Sequence, residues 1–165
     1  MPAVNPDGSV VEELADWIVS LRLEDVPERV LELTRWQSAA VIAAIFASRT
    51  NPAARAVREA VVGWNKPGPC SVIGGAEKLS LHEAVLVNSA ASMALDYDDY
   101  LYMGHTGHSA VLASLAIAEA ERLPLSEMML AQVIANEIGG RVGASSVLGP
   151  QNGQAWSFIH AAEAA

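Results

Sequence analysis

Residues 39–47 read Ala-Ala-Val-Ile-Ala-Ala-Ile-Phe-Ala, apolar without a break, and residues 81–95 are apolar nearly all round a helical wheel. A helix with no polar face must be wrapped by other elements. Two such segments in 165 residues constrain the chain to a layered, mostly helical packing. The first run is too short to span a bilayer and reads as a helix buried on all sides. Apolar residues make up 52% of the chain, alanine foremost, and few segments alternate Val, Ile and Thr as strands do. The expected fold class is all-α, a multi-helix bundle forming one helical domain over residues 1–165, with residues 1–8 loose. That length leaves room for a substantial core.

Local signals divide the chain into seven helices. Val10, Val11, Leu14, Trp17, Ile18 and Leu21 recur at helical spacing and give a first helix over about 9–21 one apolar face. Pro27 suits the first position of a second helix, which runs to about Ala47. Asn51-Pro52 reads as an N-cap followed by an N1 proline, and Gly63 closes that third helix. Residues 64–75, with Pro67, Pro69 and Gly74-Gly75, read as loop with a short extended piece at Ser71-Val72-Ile73. Ser80 and Glu83 form a capping-box pattern ahead of a fourth, central helix to about Leu95. A fifth runs from about Ser109 to Arg122, stopped by Pro124. A sixth starts at Ser126 and ends near Gly139-Gly140. Residues 143–153 read as loop, and a last helix from about Gln154 is still running at Ala165 with no terminating signal. That pattern suggests a fragment, or a fold completed by a second chain.

The net charge is −9. Nucleic acid needs a basic face and anionic membranes attract basic segments, so neither is an expected partner. Cys70 is the single cysteine, which excludes a disulfide framework and a cysteine-based zinc site. The first residues lack the basic and apolar regions of a signal peptide, and a cytoplasmic setting is expected.

The chemistry is concentrated where the fourth helix ends. Asp96, Asp98, Asp99, His105 and His108 fall inside thirteen residues, in Leu95-Asp96-Tyr97-Asp98-Asp99-Tyr100 and Gly104-His105-Thr106-Gly107-His108-Ser109. Carboxylates oppose the dipole at a helix C-terminus, and an unpartnered buried carboxylate is costly. Were the helix to continue through Tyr100, then Asp96, Asp99 and Tyr100 would share one side. The segment reads as a solvated helix end, as hard-cation ligands in no standard spacing, or as an acid/base site. In the last reading a carboxylate beside an imidazole is poised near neutral pH for proton abstraction. His105 and His108 lie among glycines that allow close approach, and a pair of surface-loop histidines is the plain alternative. His82 reads as a surface residue and His160 as a packed one. Arg141, near a helix end, suits either capping of carbonyls or binding of an anion. Trp17, Trp36, Trp64 and Trp156 read as core or interface residues. Gly139-Gly140 follows no strand, so a phosphate loop is weakly indicated.

Three segments together resemble the MmgE/PrpD family: residues 88–99 (NSAASMALDYDD), 104–111 (GHTGHSAV) and 115–119 (LAIAE). Residues 14–18 (LADWI) with 26–30 (VPERV), and residues 136–143 (NEIGGRVG), are similar to further segments of that family. The family includes 2-methylcitrate dehydratase, cis-aconitate decarboxylase and iminodisuccinate epimerase. The resemblance implies a large helical domain and, in full-length members, a smaller α+β lid that is absent here. It implies lyase or epimerase chemistry on small polycarboxylates, with no metal or organic cofactor. Asp96 matches the family's active-site aspartate. Tyr100 stands where many members carry an active-site threonine. The active-site histidine corresponds to His105 or His108, with Thr106 at the column in an ungapped comparison. Met93 replaces a frequent histidine, Arg35-Trp36-Gln37-Ser38 replaces a Leu-Leu-Asp-Thr-like run, and Gln154-Ala155-Trp156-Ser157 lacks a later His-Pro segment.

The expected function is therefore that of an N-terminal subunit or fragment of a lyase acting on a small polycarboxylate by dehydration, decarboxylation or epimerisation. Asp96 and His105 or His108 are the expected catalytic residues. Tyr100, Thr106, Asp99 and Arg141 are the expected substrate contacts. An anionic substrate calls for cations, which this cluster hardly supplies. A second subunit carrying the missing C-terminal half, in a homo- or hetero-oligomer, is the expected partner. The rival reading is a non-catalytic helical module that stabilises or regulates a full-length relative.

Overall fold

The computed structural model describes residues 9–97, 99–101 and 105–145. Among them are six α-helices and one two-stranded antiparallel sheet. In chain order these are α1 (Val10–Ser20), α2 (Glu28–Ala47), α3 (Pro52–Gly63), β1 (Pro67–Ser71), β2 (Lys78–Leu79), α4 (Leu81–Met93), α5 (Gly107–Glu121) and α6 (Leu125–Ser145). The mostly helical architecture agrees with the sequence. The expected last helix lies outside the described residues.

Several boundaries follow from local chemistry. Ser9 caps α1 in a full capping box with Glu12. Pro27 precedes α2, its carbonyl accepting from the Val30 amide at 2.8 Å. Asn51 Oδ1 accepts from the amides of Ala53 (2.9 Å) and Ala54 (3.4 Å), with Pro52 at N1. At α4 the reciprocal box does not form, because Ser80 gives its hydroxyl proton to the Glu83 carboxylate instead.

The core has two parts. One lies beneath the hairpin, where Val61, Cys70, Leu79, Ala84, Val87 and Ala116 meet. The other joins α2, α5 and α6 through Val41, Ile45, Val111, Leu112 and Met128. Helix α5 carries the most buried residues, so it, rather than α4, is the central element. Helix α4 packs against α2, α3 and α5 but leaves Leu86 and Met93 exposed.

Four expectations need correction. The apolar run of α2 is not buried on all sides: Val41, Ala44 and Ile45 face the core, while Ile42 and Phe46 are exposed. The stretch 28–50 is also long and apolar enough, by length and composition, to cross a membrane, with 22% of its 18-residue apolar window buried. The loop after α3 contains β1, which starts four residues before the extended piece expected at Ser71. Its backbone is satisfied by side chains: Ser71 donates through N–H and hydroxyl to Glu119 at 2.7 and 2.6 Å, and Asn88 brackets the Ser71 carbonyl and the Ile73 amide, both at 2.9 Å. Helix α6 runs through Gly139-Gly140 to Ser145, and the glycine at 140 leaves room for the Leu101 side chain, whose Cδ2 a Cβ there would meet at 3.3 Å. Helix α4 stops at Met93, and Asp96 takes a left-handed backbone (φ 55°). The acidic segment is therefore a turn, and Asp96 and Asp99 do not share a helix face.

Candidate functional site

That turn separates the carboxylates. Asp99 is directed inward, onto the first turn of α5. Its Oδ1 accepts from the Gly107 amide at 2.8 Å, and its Oδ2 accepts from the Thr106 hydroxyl at 2.8 Å and from Gln37 Nε2 at 2.9 Å. A carboxylate at a helix N-terminus meets both the free amides and the positive end of the dipole. Asp99 thus caps α5.

Behind it lies a circuit of side-chain amides from α2 and α6. Gln37 Nε2 reaches Asp99 and Asn136 Oδ1 (3.1 Å), while Gln37 Oε1 accepts from Asn136 Nδ2 and Gln132 Nε2, both at 2.7 Å. Gln132 Nε2 also donates to the Thr34 carbonyl (3.0 Å), Ser38 donates to Gln132 Oε1 (2.8 Å), and Asn136 Nδ2 donates to the Gln132 carbonyl (3.0 Å). Each amide proton has an acceptor, which is the condition for burying such groups without a large penalty. Gln132 and Thr106 are almost wholly enclosed.

A cleft of about 390 Å³ opens over this circuit. Gln37, Asp99, Thr106 and Asn136 line it together with apolar Val30, Leu33, Leu101 and Val133, while Tyr100 and Glu137 complete the lining. A few convergent polar groups within an apolar wall is the usual composition of a small-molecule site. The lining residues include two carboxylates and no cation. Arg141 sits one turn beyond and spends its guanidinium on Glu137, with Nε at 2.9 Å and the terminal nitrogen at 2.5 Å from Oε1.

Of the residues singled out from sequence, Asp99, Tyr100 and Thr106 come together in the cleft. Asp96 and His105 do not line it but form a pair beside it: His105 Nε2 stands 3.8 Å from Asp96 Oδ1. The Tyr100 ring meets the His105 ring edge-on at 5.3 Å and 85°. Asp96, His105 and Tyr100 are thus a string leading from solvent to the cleft. Asp96 is 86% exposed and His105 27%. His108 lies on the first turn of α5, half-buried, its carbonyl accepting from the Ser89 hydroxyl at 2.9 Å, and it is not among the cleft residues. Asp98 lies outside the described residues. Among the described residues no three His, Cys, Asp or Glu side chains are grouped as metal ligands would be.

Sequence reasoning does not single out Gln37, Gln132 and Asn136. The available signal is Gln132 and Asn136, one turn apart and flanking apolar Val133-Ile134-Ala135, and Gln37-Ser38 at the start of an apolar run.

Comparison with known proteins identifies a family. The family model described as the MmgE/PrpD N-terminal domain matches residues 12–162. A cis-aconitate decarboxylase of Aspergillus terreus is 28% identical over 146 residues, which cover 84% of this chain and 30% of that protein. The cis-aconitate decarboxylase-like protein oryM of Aspergillus oryzae is 27% identical over 149 residues, covering 85% of this chain and 31% of that protein. The chain thus spans about 30% of the length of these curated relatives. No solved structure matches it.

Proposed function

The chain belongs to the MmgE/PrpD family, and from that membership we propose that it supplies the helical half of a lyase site for a small polycarboxylate, used with a second polypeptide. The observation that carries this reading is the Asp96–His105 pair at 3.8 Å, joined through the Tyr100 ring to the rim of the cleft.

The division of labour follows from the chemistry. A carboxylate beside an imidazole stabilises the imidazolium, so His105 takes a proton from a carbon next to a substrate carboxylate and Asp96 holds the charge that results. Proton transfer at such a carbon is common to the three reactions: the proton leaves carbon in dehydration, leaves and returns in epimerisation, and in decarboxylation is delivered to the carbon that receives the electron pair as CO2 departs. Tyr100 and Thr106 contact the substrate from rim and floor. Asp99 orients Thr106, and Arg141 reaches the same opening once released from Glu137. His108, on the first turn of α5, is the alternative base.

The cleft is unsuited to an anion by itself. Its carboxylates repel one, and a desolvated carboxylate ligand needs cationic donors. A second polypeptide, corresponding to the part of the relatives that this chain does not span, supplies those cations and covers the cleft. The assembly works in the cytoplasm.

The test uses cis-aconitate, the acid in the relatives' names, followed by proton NMR. The chain is assayed alone and with the polypeptide encoded beside it. Turnover is expected only for the pair, and Asp96→Asn is expected to abolish it while leaving the circular dichroism spectrum unchanged. Full turnover by Asp96→Asn, or by the chain alone, would refute the proposal.

A further inference from the structure

A second cavity inverts the chemistry of the cleft. It measures about 30 Å³, and Arg49, Arg55 and Arg58 line it together with apolar Ile45, Val72 and Val87. The chain has ten Lys and Arg against nineteen Asp and Glu. Three of those ten meet here, and no carboxylate is among the lining residues. Guanidiniums brought to one small cavity repel one another, and an anion between them relieves that repulsion. None of these residues lines the cleft, so the two sites are separate.

The fold holds each arginine toward this cavity. Arg49, just after α2, lies 5.7 Å from the centre of the Phe46 ring and makes no ion pair among the described residues. Its stem also meets the hairpin turn at Gly74, where a Cβ would stand 3.4 Å from Arg49 Cδ. Gly74 has φ 77°, a backbone that glycine adopts without strain. Arg58, on α3, pairs with Glu77 at 2.5 Å, and a Cβ on Gly75 would collide with its guanidinium. The two glycines thus let the hairpin turn close against both arginines. Arg55 meets Glu59 at 3.3 Å in an exposed pair on α3, a contact worth little. A guanidinium carries five N–H donors, and each of these two ion pairs uses one nitrogen. Donors therefore remain on all three arginines. Asn88, the other polar residue of the lining, is spent on the Ser71 carbonyl and the Ile73 amide.

We infer that Arg49, Arg55 and Arg58 form a binding site for a compact phosphate-type dianion, apart from the cleft. Size, shape and charge all favour that class. A single water needs about 10–15 Å³ of such space, so about 30 Å³ takes one head group and not a polycarboxylate. A planar carboxylate suits one guanidinium fork, whereas a tetrahedral group offers acceptors on several sides and serves three. Two negative charges also answer a cluster of three cations better than one. The occupant is free phosphate or the phosphate of a small ester. Binding alone reads the site out, so it stands whether or not the cleft is catalytic.

Isothermal titration calorimetry of the whole chain with sodium phosphate, at constant ionic strength made up with chloride, tests it. Saturable binding of one phosphate per chain is expected. Arg49→Gln is expected to weaken binding about tenfold or more, the worth of one charge-assisted hydrogen bond, with an unchanged circular dichroism spectrum. Arg55→Gln, at a side chain 63% exposed, is expected to weaken it by a similar factor, and it carries the test alone if Arg49→Gln unfolds the chain. Arg49→Lys keeps the charge without the fork and is expected to fall between the parent and Arg49→Gln. Arg29→Gln, at an exposed cation near the start of α2, is expected to leave binding unchanged. Methyl phosphate separates the two sources: binding tighter than that of phosphate assigns the site to an ester head group, and weaker binding to the free ion. The absence of saturable phosphate binding would overturn the inference. So would an affinity that Arg55→Gln leaves alone, or one that Arg29→Gln lowers as much as Arg55→Gln does.

Discussion

Asp99→Asn is the sharpest probe of the polar circuit, because it changes one atom and leaves the volume alone. In the parent chain Asp99 Oδ2 accepts from Thr106 and Gln37, and Oδ1 from the Gly107 amide. An asparagine keeps Oδ1 for Gly107 but sets an amino group against the Gln37 amino group, donor facing donor. Gln37 cannot relieve this by turning over. Its Oε1 already accepts from Gln132 and Asn136 at 2.7 Å, and a flipped Gln37 would confront both with protons. Nor can those two flip in turn, because Gln132 donates to the Thr34 carbonyl and Asn136 to the Gln132 carbonyl. Backbone carbonyls cannot become donors, so the direction of the whole circuit is fixed.

The cost follows from that rigidity. One charge-assisted hydrogen bond is lost, worth about 1.5–3 kcal/mol, and one enclosed donor is left unmet, about 1–3 kcal/mol. Thr106 recovers part by turning to Asn136 Oδ1, 2.9 Å away. A net loss of roughly 2–4 kcal/mol is expected, a large part of the total for a domain. For a chain of this size that is about 4–16 °C in Tm, at 2–4 °C per kcal/mol. Urea unfolding followed by circular dichroism measures it. The double-mutant cycle is the stricter arm. Gln37→Glu offers the introduced asparagine amide an acceptor and still accepts from Gln132 and Asn136, so the pair should lose less than the two single changes together. An Asp99→Asn chain within about 0.5 kcal/mol of the parent, the range of an ordinary surface change, would refute the circuit. So would strict additivity with Gln37→Glu.

Two further predictions rest on titrating groups. Cys70 is fully enclosed, its thiol donating to the Ala116 carbonyl at 3.3 Å. Burial first, and the Glu119 carboxylate second, push its pKa up against the opposing pull of Lys78. A thiol reagent at neutral pH should therefore react only as the chain unfolds, with the same urea midpoint as the spectrum. Glu77 is held below the usual glutamate range by its own backbone N–H and then by Arg58, whose guanidinium lies 2.5 Å away. A carboxyl with a lowered folded pKa stabilises above its unfolded pKa, and that stability is lost as pH falls through the folded value. Glu77→Gln should flatten the acid limb of stability against pH below the ordinary glutamate range; a limb of unchanged slope would contradict this.

The sequence reveals what is decided locally. Asn51 and Pro52 act through residues two or three positions away, so their cap is legible. The grouping of Tyr100 and Thr106 in one site is legible as well, because a single short segment carries both. What depends on distant neighbours is not. Gln37 meets Asp99 across 62 positions and Asn136 across 99, and nothing near Gln37 signals either partner. Strand β1 carries two prolines that argue for loop, and it is held by Asn88 and Glu119 from two separate helices. The run 39–47 misleads for the opposite reason. Its composition says that it will be covered but not by what, and the described part of this chain covers one side.

The same distinction bears on how the site divides its work. Asp99 commits both carboxylate oxygens to three donors of its own chain, and Arg141 commits its guanidinium to Glu137. Groups so engaged are suited to fixing geometry, since moving one breaks several bonds at once. Asp96 is nearly bare, and it meets His105 through a long contact, with the Tyr100 ring perpendicular to the imidazole at 5.3 Å. Groups so placed are suited to exchanging protons and accepting a new neighbour. The rigid circuit thus sets where Thr106 and the start of α5 stand, and the loosely held pair waits at the rim. On the proposed function, a covering polypeptide would bring cations to a cleft that has none among its lining residues and would remove Asp96 from water. Desolvation strengthens the Asp96–His105 interaction, so the pair would become an effective acid and base only in the assembled site. That predicts that His105→Gln abolishes turnover by the assembled pair, as Asp96→Asn does, while the free chain keeps its circular dichroism spectrum. Full turnover by an assembled His105→Gln chain would refute that coupling.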